Sequence, residues 1–91
     1  MDLQWTSAAQ ADLARLYNFL AAVNQPAAAR VAQTLAAAPI NLLATPRLGN
    51  RLDQFRPREV RRVIVGDYEM RYEIRGDVIF VLRLWHGRED R

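Results

Sequence analysis

Apolar and polar positions follow two different rhythms along this chain. Up to about residue 43, apolar residues recur every three or four positions, the spacing of one helix face; from Arg58 onward they recur at every second position, the spacing of a strand. A brief period-two stretch, Asp2 to Thr6, places Leu3 and Trp5 on one face and predicts a short opening strand. Ser7, with Gln10 three residues on, fits a capping box that starts a helix over about 7–23. Ala9, Leu13, Leu16, Tyr17 and Leu20 form its apolar stripe, and Asp12, Arg15 and Asn18 lie elsewhere. Asn24-Gln25-Pro26 interrupts this pattern and opens a second helix, with Pro26 at its first position. Ala28, Val31 and Leu35 share a face of this alanine-rich segment, and small side chains let two helices lie close as a hairpin. The second helix is expected over about 26–43, with a defect near Pro39, which removes a backbone donor and crowds the preceding turn.

Thr45 to Asn50 is turn chemistry, and Arg51 to Pro57 reads as a connector anchored by Leu52 and Phe55. Three β-rich runs follow, joined at Gly66-Asp67 and Gly76-Asp77. A two-residue loop at Gly66-Asp67 sets Val65 opposite Tyr68, Val63 opposite Met70 and Arg61 opposite Tyr72. Val63, Val65, Tyr68, Met70, Tyr72 and Ile74 then face the helices. Arg62, Glu69, Arg71, Glu73 and Arg75 share the other face with Ile64, with opposite charges placed to pair across strands. The last run, Val78 to Trp85, is apolar on both sides: Val78, Phe80, Leu82 and Leu84 point one way, and Ile79, Val81, Arg83 and Trp85 the other. Such a strand is expected to be central. Two helices cover only one face of a small sheet, so the other face is expected to expose apolar surface for a partner. The order of strand, two helices and three-stranded antiparallel meander is a two-layer α+β domain, the first strand lying beside the last.

Ninety-one residues allow one domain, taken as 1–91. With no cysteine there is neither a disulfide framework nor a thiolate metal site, which fits a cytoplasmic location. No apolar run approaches a membrane span, and the start lacks the pattern of a signal peptide. The net charge of +3 sits in the second half: residues 45–91 carry eleven arginines against eight acids, and residues 1–44 balance two against two. All thirteen basic residues are arginine, the side chain suited to planar recognition of phosphate or carboxylate.

Four features carry candidate chemistry. His86, the only histidine, is either an acid–base or target-contacting group or a hydrogen-bonded closure of its strand. Arg61, Arg62, Arg71, Arg83 and Arg88 form either a basic binding surface or a solvated face balanced by Glu69, Glu73 and Asp77. Arg83 lies in an apolar strand, where an unpaired charge is costly, so it pairs internally or awaits a partner's carboxylate. Trp85 reads as an interface anchor and Trp5 as core. No His or carboxylate spacing suggests a metal, and neither Gly-Asp pair opens a helix as a phosphate loop would.

The opening strand with Ala11-Asp12-Leu13, the turn Pro46-Arg47-Leu48-Gly49, the strand Tyr68-Glu69-Met70-Arg71-Tyr72 and the ending Leu82-Arg83-Leu84-Trp85-His86-Gly87-Arg88 together resemble the RelE/ParE superfamily of bacterial toxins from toxin–antitoxin operons. The resemblance spans nearly the whole chain. Two activities occur on this fold: ribosome-dependent cleavage of messenger RNA, and poisoning of DNA gyrase by ParE-like members. Ribonuclease members typically carry arginine where this chain has Glu69, and some end in histidine followed by tyrosine, where this chain has His86-Gly87. The tail from His86 to Asp90 is similar to the His-Gly-Arg ending of the ParE branch.

The resemblance therefore implies a toxin that traps gyrase on cleaved DNA by binding, with no catalytic residues and no cofactor. It implies a ParD-like antitoxin whose flexible segment orders on the toxin in a heteromeric complex, and no sequence-specific DNA binding by the toxin alone. The segment would cover the apolar side of the sheet, with Ile79, Val81, Arg83 and Trp85 as contacts, or the helix hairpin. His86 and Arg88 are the expected target contacts. The alternatives are a ribosome-dependent endonuclease using Arg61, Arg83 and His86, and an inactive member that only binds its antitoxin.

Overall fold

The computed structural model describes residues 1–89; the last two positions of the polar tail, Asp90 and Arg91, lie outside the described residues. The elements are β1 (Asp2–Trp5), α1 (Ser7–Ala21), α2 (Gln25–Leu42), β2 (Asn50–Arg51), β3 (Glu59–Val65), β4 (Tyr68–Arg75) and β5 (Val78–His86), with a 3-10 turn at Asp53–Phe55. The strands form one sheet in the order β1-β5-β4-β3-β2. β1 runs parallel to β5 and the remaining neighbours are antiparallel. The α1–α2 hairpin covers one face, giving the expected two-layer α+β domain. The expected connector contains the short β2, which lengthens the sheet by a strand that its two residues were too few to announce.

Helix starts are set by side-chain oxygens. α1 is capped by Thr6, whose Oγ1 accepts from the Ala9 amide at 3.1 Å, and not by the expected Ser7–Gln10 box. Thr6 prevails because it has a second task, donating from the same hydroxyl to the Leu82 carbonyl at 3.0 Å, which ties the helix start to β5. Asn24 caps α2 by accepting from the Ala27 amide at 3.1 Å, and Pro26 follows as the second helical residue. α2 continues past Pro39 to Leu42. The Pro39 ring is buried, so packing offsets the lost backbone bond.

The β3–β4 register is the expected one: Val65 opposite Tyr68, Val63 opposite Met70 and Arg61 opposite Tyr72. Gly66 supplies the positive φ (61°) that the first position of a tight II′ hairpin loop needs. Two apolar clusters result beneath the helices. Ala9, Leu16, Leu35, Met70, Val81 and Leu84 form the larger, joined by Leu3, Trp5 and Val63. Leu42, Tyr72, Ile74 and Ile79 form the smaller. The Tyr72 hydroxyl closes its end by donating to the Pro46 carbonyl (2.7 Å) and accepting from the Gly49 amide (2.9 Å). A Cβ on Gly49 would lie 2.6 Å from the Arg62 carbonyl oxygen, so only glycine permits that approach.

β5 departs from the expected alternation. Arg71 pairs with Arg83 and Tyr72 with Val81, so Leu82 has no cross-strand partner and forms a bulge. Before the bulge, Ile79 and Val81 face the helices; after it, Leu84 does, and Arg83 and Trp85 turn to the outer face.

Candidate functional site

The bulge dissolves the expected contact set. Ile79 and Val81 are fully buried under the helices, so they do not share a face with Arg83 and Trp85 and offer no surface to a partner. Trp5 packs in the larger cluster, as expected. Trp85 is 9% exposed, with the Arg71 guanidinium 4.6 Å and the Arg83 guanidinium 5.3 Å from its ring centre. The outer face is accordingly not the apolar patch expected of it. Arg75 stacks on Phe80 at 4.5 Å, and Arg58 and Arg71 approach Phe55 at 5.9 and 5.5 Å. Arginines cover the rings because each gains both a π face and a carboxylate: Arg58 grips Glu73 through two hydrogen bonds of 2.9 and 3.0 Å, and Arg71 reaches Glu69 at 3.4 Å.

β1 ends at Trp5, which leaves the edge of β5 beyond Val81 without a strand partner, and the first turns of α1 complete it. The Thr6 amide donates to the Val81 carbonyl and its hydroxyl to that of Leu82. Asp12, only 4% exposed, accepts from the Leu84 amide at 2.9 Å. The same carboxylate takes two hydrogen bonds from Arg83, at 2.7 and 3.1 Å. Arg83 therefore pairs internally, one of the two outcomes its sequence position allowed. Burial would raise the Asp12 pKa, but the Arg83 hydrogen bond, the Leu84 amide and the Arg83 charge outweigh it and hold the carboxyl below the usual range. Asp12 was missed as a site residue; its place at the edge of the α1 stripe, one turn from both Ala9 and Leu16, was the available signal.

The end of β5 opens into a groove of about 560 Å³ between α1 and the Tyr68 side of the sheet. Leu16, Phe19 and Leu20 form its apolar wall, and His86, Arg88 and the paired Arg15 and Glu89 form its polar rim. Tyr68 meets the His86 ring edge-on at 5.2 Å and 88°. His86 Nδ1 accepts from the Arg88 amide at 3.1 Å, which leaves Nε2 to carry the proton of the neutral ring. Glu89 latches the tail: its carboxylate accepts from the His86 amide at 2.7 Å and pairs with Arg15. Burial, then the nearby Asp67 and Glu89, raises the Tyr68 pKa, so its hydroxyl stays protonated. At the mouth, Phe19 is 79% exposed, and Val23, just past the end of α1, is 83% exposed. They too were missed; their four-residue spacing, beyond what one covered stripe needs, was the signal. His86 and Arg88, the expected target contacts, thus share one groove.

Arg61, Arg83 and His86 do not converge. Arg61 lies opposite Tyr72 and is held by Glu59 (2.9 Å) and the Gly49 carbonyl (2.7 Å). His86 lies opposite Tyr68, four residues away along β4, which is about 14 Å of strand. Arg83 is on the outer face, tied to Asp12. Among the described residues no group of His, Asp and Glu is placed to hold a metal ion, and no helix is long and apolar enough to cross a membrane.

A helical hairpin packed on one face of a five-stranded sheet is the architecture that the RelE/ParE resemblance implies. The sequence pattern described as the ParE toxin of the type II toxin–antitoxin system parDE matches residues 3–91, and the chain belongs to this family. A solved structure described as the chromosomal ParDE system from P. aeruginosa is similar in fold, with a TM-score of 0.79 at 24% identity over 94% of this chain and 95% of that one. A comparison with curated protein sequences returned no match.

Proposed function

We propose that this ParE-family toxin acts in the cytoplasm by binding DNA gyrase and holding it on cleaved DNA, and that its antitoxin prevents this by occupying the groove beside His86. The observation that carries the reading is the dispersal of Arg61, Arg83 and His86. Each is committed to a separate structural contact, whereas a phosphodiester-cleaving site needs its groups within reach of one phosphate. Glu69 speaks the same way: it stands where ribonuclease relatives typically carry a cation, and it is 1% exposed.

The antitoxin's place follows from exposed apolar area. Phe19 and Val23 offer it at the hairpin, whereas the rings of the outer face are already covered. Of the sheet face and the helix hairpin, the hairpin is the better supported. An amphipathic segment seated there would also cover His86 and Arg88, so the same contact would block the target.

The test mixes toxin stripped of antitoxin with gyrase, ATP and plasmid, then denatures the protein. Linear plasmid is the expected product, reduced for Arg88→Ala. Intact plasmid from toxin that still arrests growth would reject gyrase as the target and turn attention to the ribosome.

A further inference from the structure

On the outer face the carboxylates lie beneath and the arginines on top. Glu69 and Glu73 are 1% and 3% exposed, whereas the side chains of Arg58, Arg62 and Arg75 are 53%, 40% and 65% exposed. Arg58 and Arg75 share Glu73, at 2.9 and 3.9 Å; Arg62 and Arg71 share Glu69, at 3.7 and 3.4 Å. Four cations over two sunken anions leave the surface positive, on a chain whose net charge is +3 and whose pI is about 10.2. Opposite Arg62 and beside Trp85, Arg71 approaches both the Phe55 and Trp85 rings, its buried Nε without an acceptor among the described residues.

We infer that this face binds the sugar–phosphate backbone of duplex DNA without reading its sequence. Three features select this occupant. A protein–protein interface centres on a desolvated apolar core, where arginine accompanies aromatic rings that are open to the partner. Here the rings lie under guanidiniums, and the large apolar residue that the face exposes is Ile64. Single-stranded nucleic acid is held by bases stacking on open aromatic faces, and those faces are occupied by Arg71, Arg75 and Arg83. A duplex backbone needs neither. It needs fixed cations, and its affinity comes from released counterions. Glu73 fixes Arg58 through two hydrogen bonds, and the Phe80 ring carries Arg75. This binding does not depend on which enzyme the toxin targets, so it stands or falls apart from the gyrase proposal.

The test is fluorescence anisotropy of a short labelled duplex with the purified chain. With Arg58, Arg62 and Arg75 as the three phosphate contacts, affinity should fall about 40-fold between about 50 and 200 mM salt. In Arg62→Gln/Arg75→Gln the fall should shrink to about 4-fold. Neither substitution strands a carboxylate, since Arg71 keeps Glu69 and Arg58 keeps Glu73. Arg30→Gln, an exposed arginine on the helical side, should leave the salt dependence unchanged. Circular dichroism checks each fold, and Arg75→Gln alone, with an intermediate fall, serves if the double variant misfolds. The inference is overturned by no duplex binding at low salt, or by an equal loss from Arg30→Gln. It is also overturned by preference for an unpaired strand, or by a polyglutamate chain that displaces the duplex at equal charge.

Discussion

Tyr72 and Glu73 are neighbours on β4, both almost fully buried, and they are buried by different physics. Tyr72 points to the helices and is enclosed by Leu42, Ile74 and Ile79, its hydroxyl satisfied by backbone groups on both sides. Glu73 points outward and is enclosed by the arginines it pairs with. The helix side is held by removal of apolar surface from water, which salt hardly weakens. The outer side is held by charge pairs whose upper members stay wet, and such pairs contribute little each. One face therefore carries the stability, and the other is free to present charge.

The largest effect that tests this contrast is a cavity on the helix side. Leu84→Ala removes a fully buried side chain from the cluster of Leu16, Leu35, Met70 and Val81, and should cost about 2–5 kcal/mol in urea denaturation. Ile64→Ala on the outer side, where the residue is 56% exposed, should cost less than about 0.5 kcal/mol. Comparable losses would erase the distinction between the faces.

Asp12 is the next test, because it joins the two regimes: a buried carboxylate on α1 that serves both a β5 amide and an outer-face arginine. Asp12→Ala orphans the Leu84 amide and releases Arg83. The expected cost is about 2–3 kcal/mol, below that of a fully buried pair because the Arg83 side chain is 46% exposed. Chemical denaturation of the variant beside Arg83→Ala measures it. A cost no larger than that of Arg83→Ala would show that the Leu84 amide does not need its partner.

Acid should attack the same links. Burial favours the neutral form of Asp12, but its Arg83 and Leu84 contacts outweigh this. For Glu59, too, burial is outweighed by Arg61 and Arg47, and for Glu73 the Arg58 hydrogen bond dominates. All three have folded pKa values below their unfolded ones. Their stabilisation is therefore complete above the unfolded carboxylate range near pH 4 and is lost as pH falls through the folded values. Thermal melts from about pH 6 down to 2 should show stability falling on the acid side, with a shallower fall in Asp12→Asn. An unchanged slope in that variant would remove Asp12 from the acid response.

The β3–β4 hairpin was legible because Gly66 dictates a two-residue loop, and the loop length fixes every pair that follows. The last strand was legible only to its midpoint. Val78 to Trp85 is apolar on both sides, so nothing in its pattern marks Leu82 as the bulge that exchanges the faces. The Asp12–Arg83 link spans 71 residues, and only the folded topology brings it together. The need of Arg83 for a carboxylate is nonetheless visible in the sequence, because the cost of an unpaired charge depends on burial rather than topology. Thr6 outranked Ser7 as a cap through its bond to Leu82, a contact equally out of reach of local pattern.

The smallest effect discriminates most finely within the outer face. The Arg75 side chain is 65% exposed; it stands 3.9 Å from Glu73 and stacks 4.5 Å from the Phe80 ring centre. At that exposure the ion pair is worth almost nothing, since solvent and salt screen it. The stacked contact is worth about 0.5 kcal/mol and is short-ranged. Arg75→Gln should therefore cost about 0.5 kcal/mol, and the cost should be the same in low and in roughly 1 M salt. A cost present only at low salt would mean that charge pairing alone orders these arginines. Their orientation would then loosen in salt, and the salt dependence of duplex binding would contain a protein term as well as the released counterions. A salt-independent cost keeps the two apart: the rings hold the arginines flat, and the phosphates meet cations already in place.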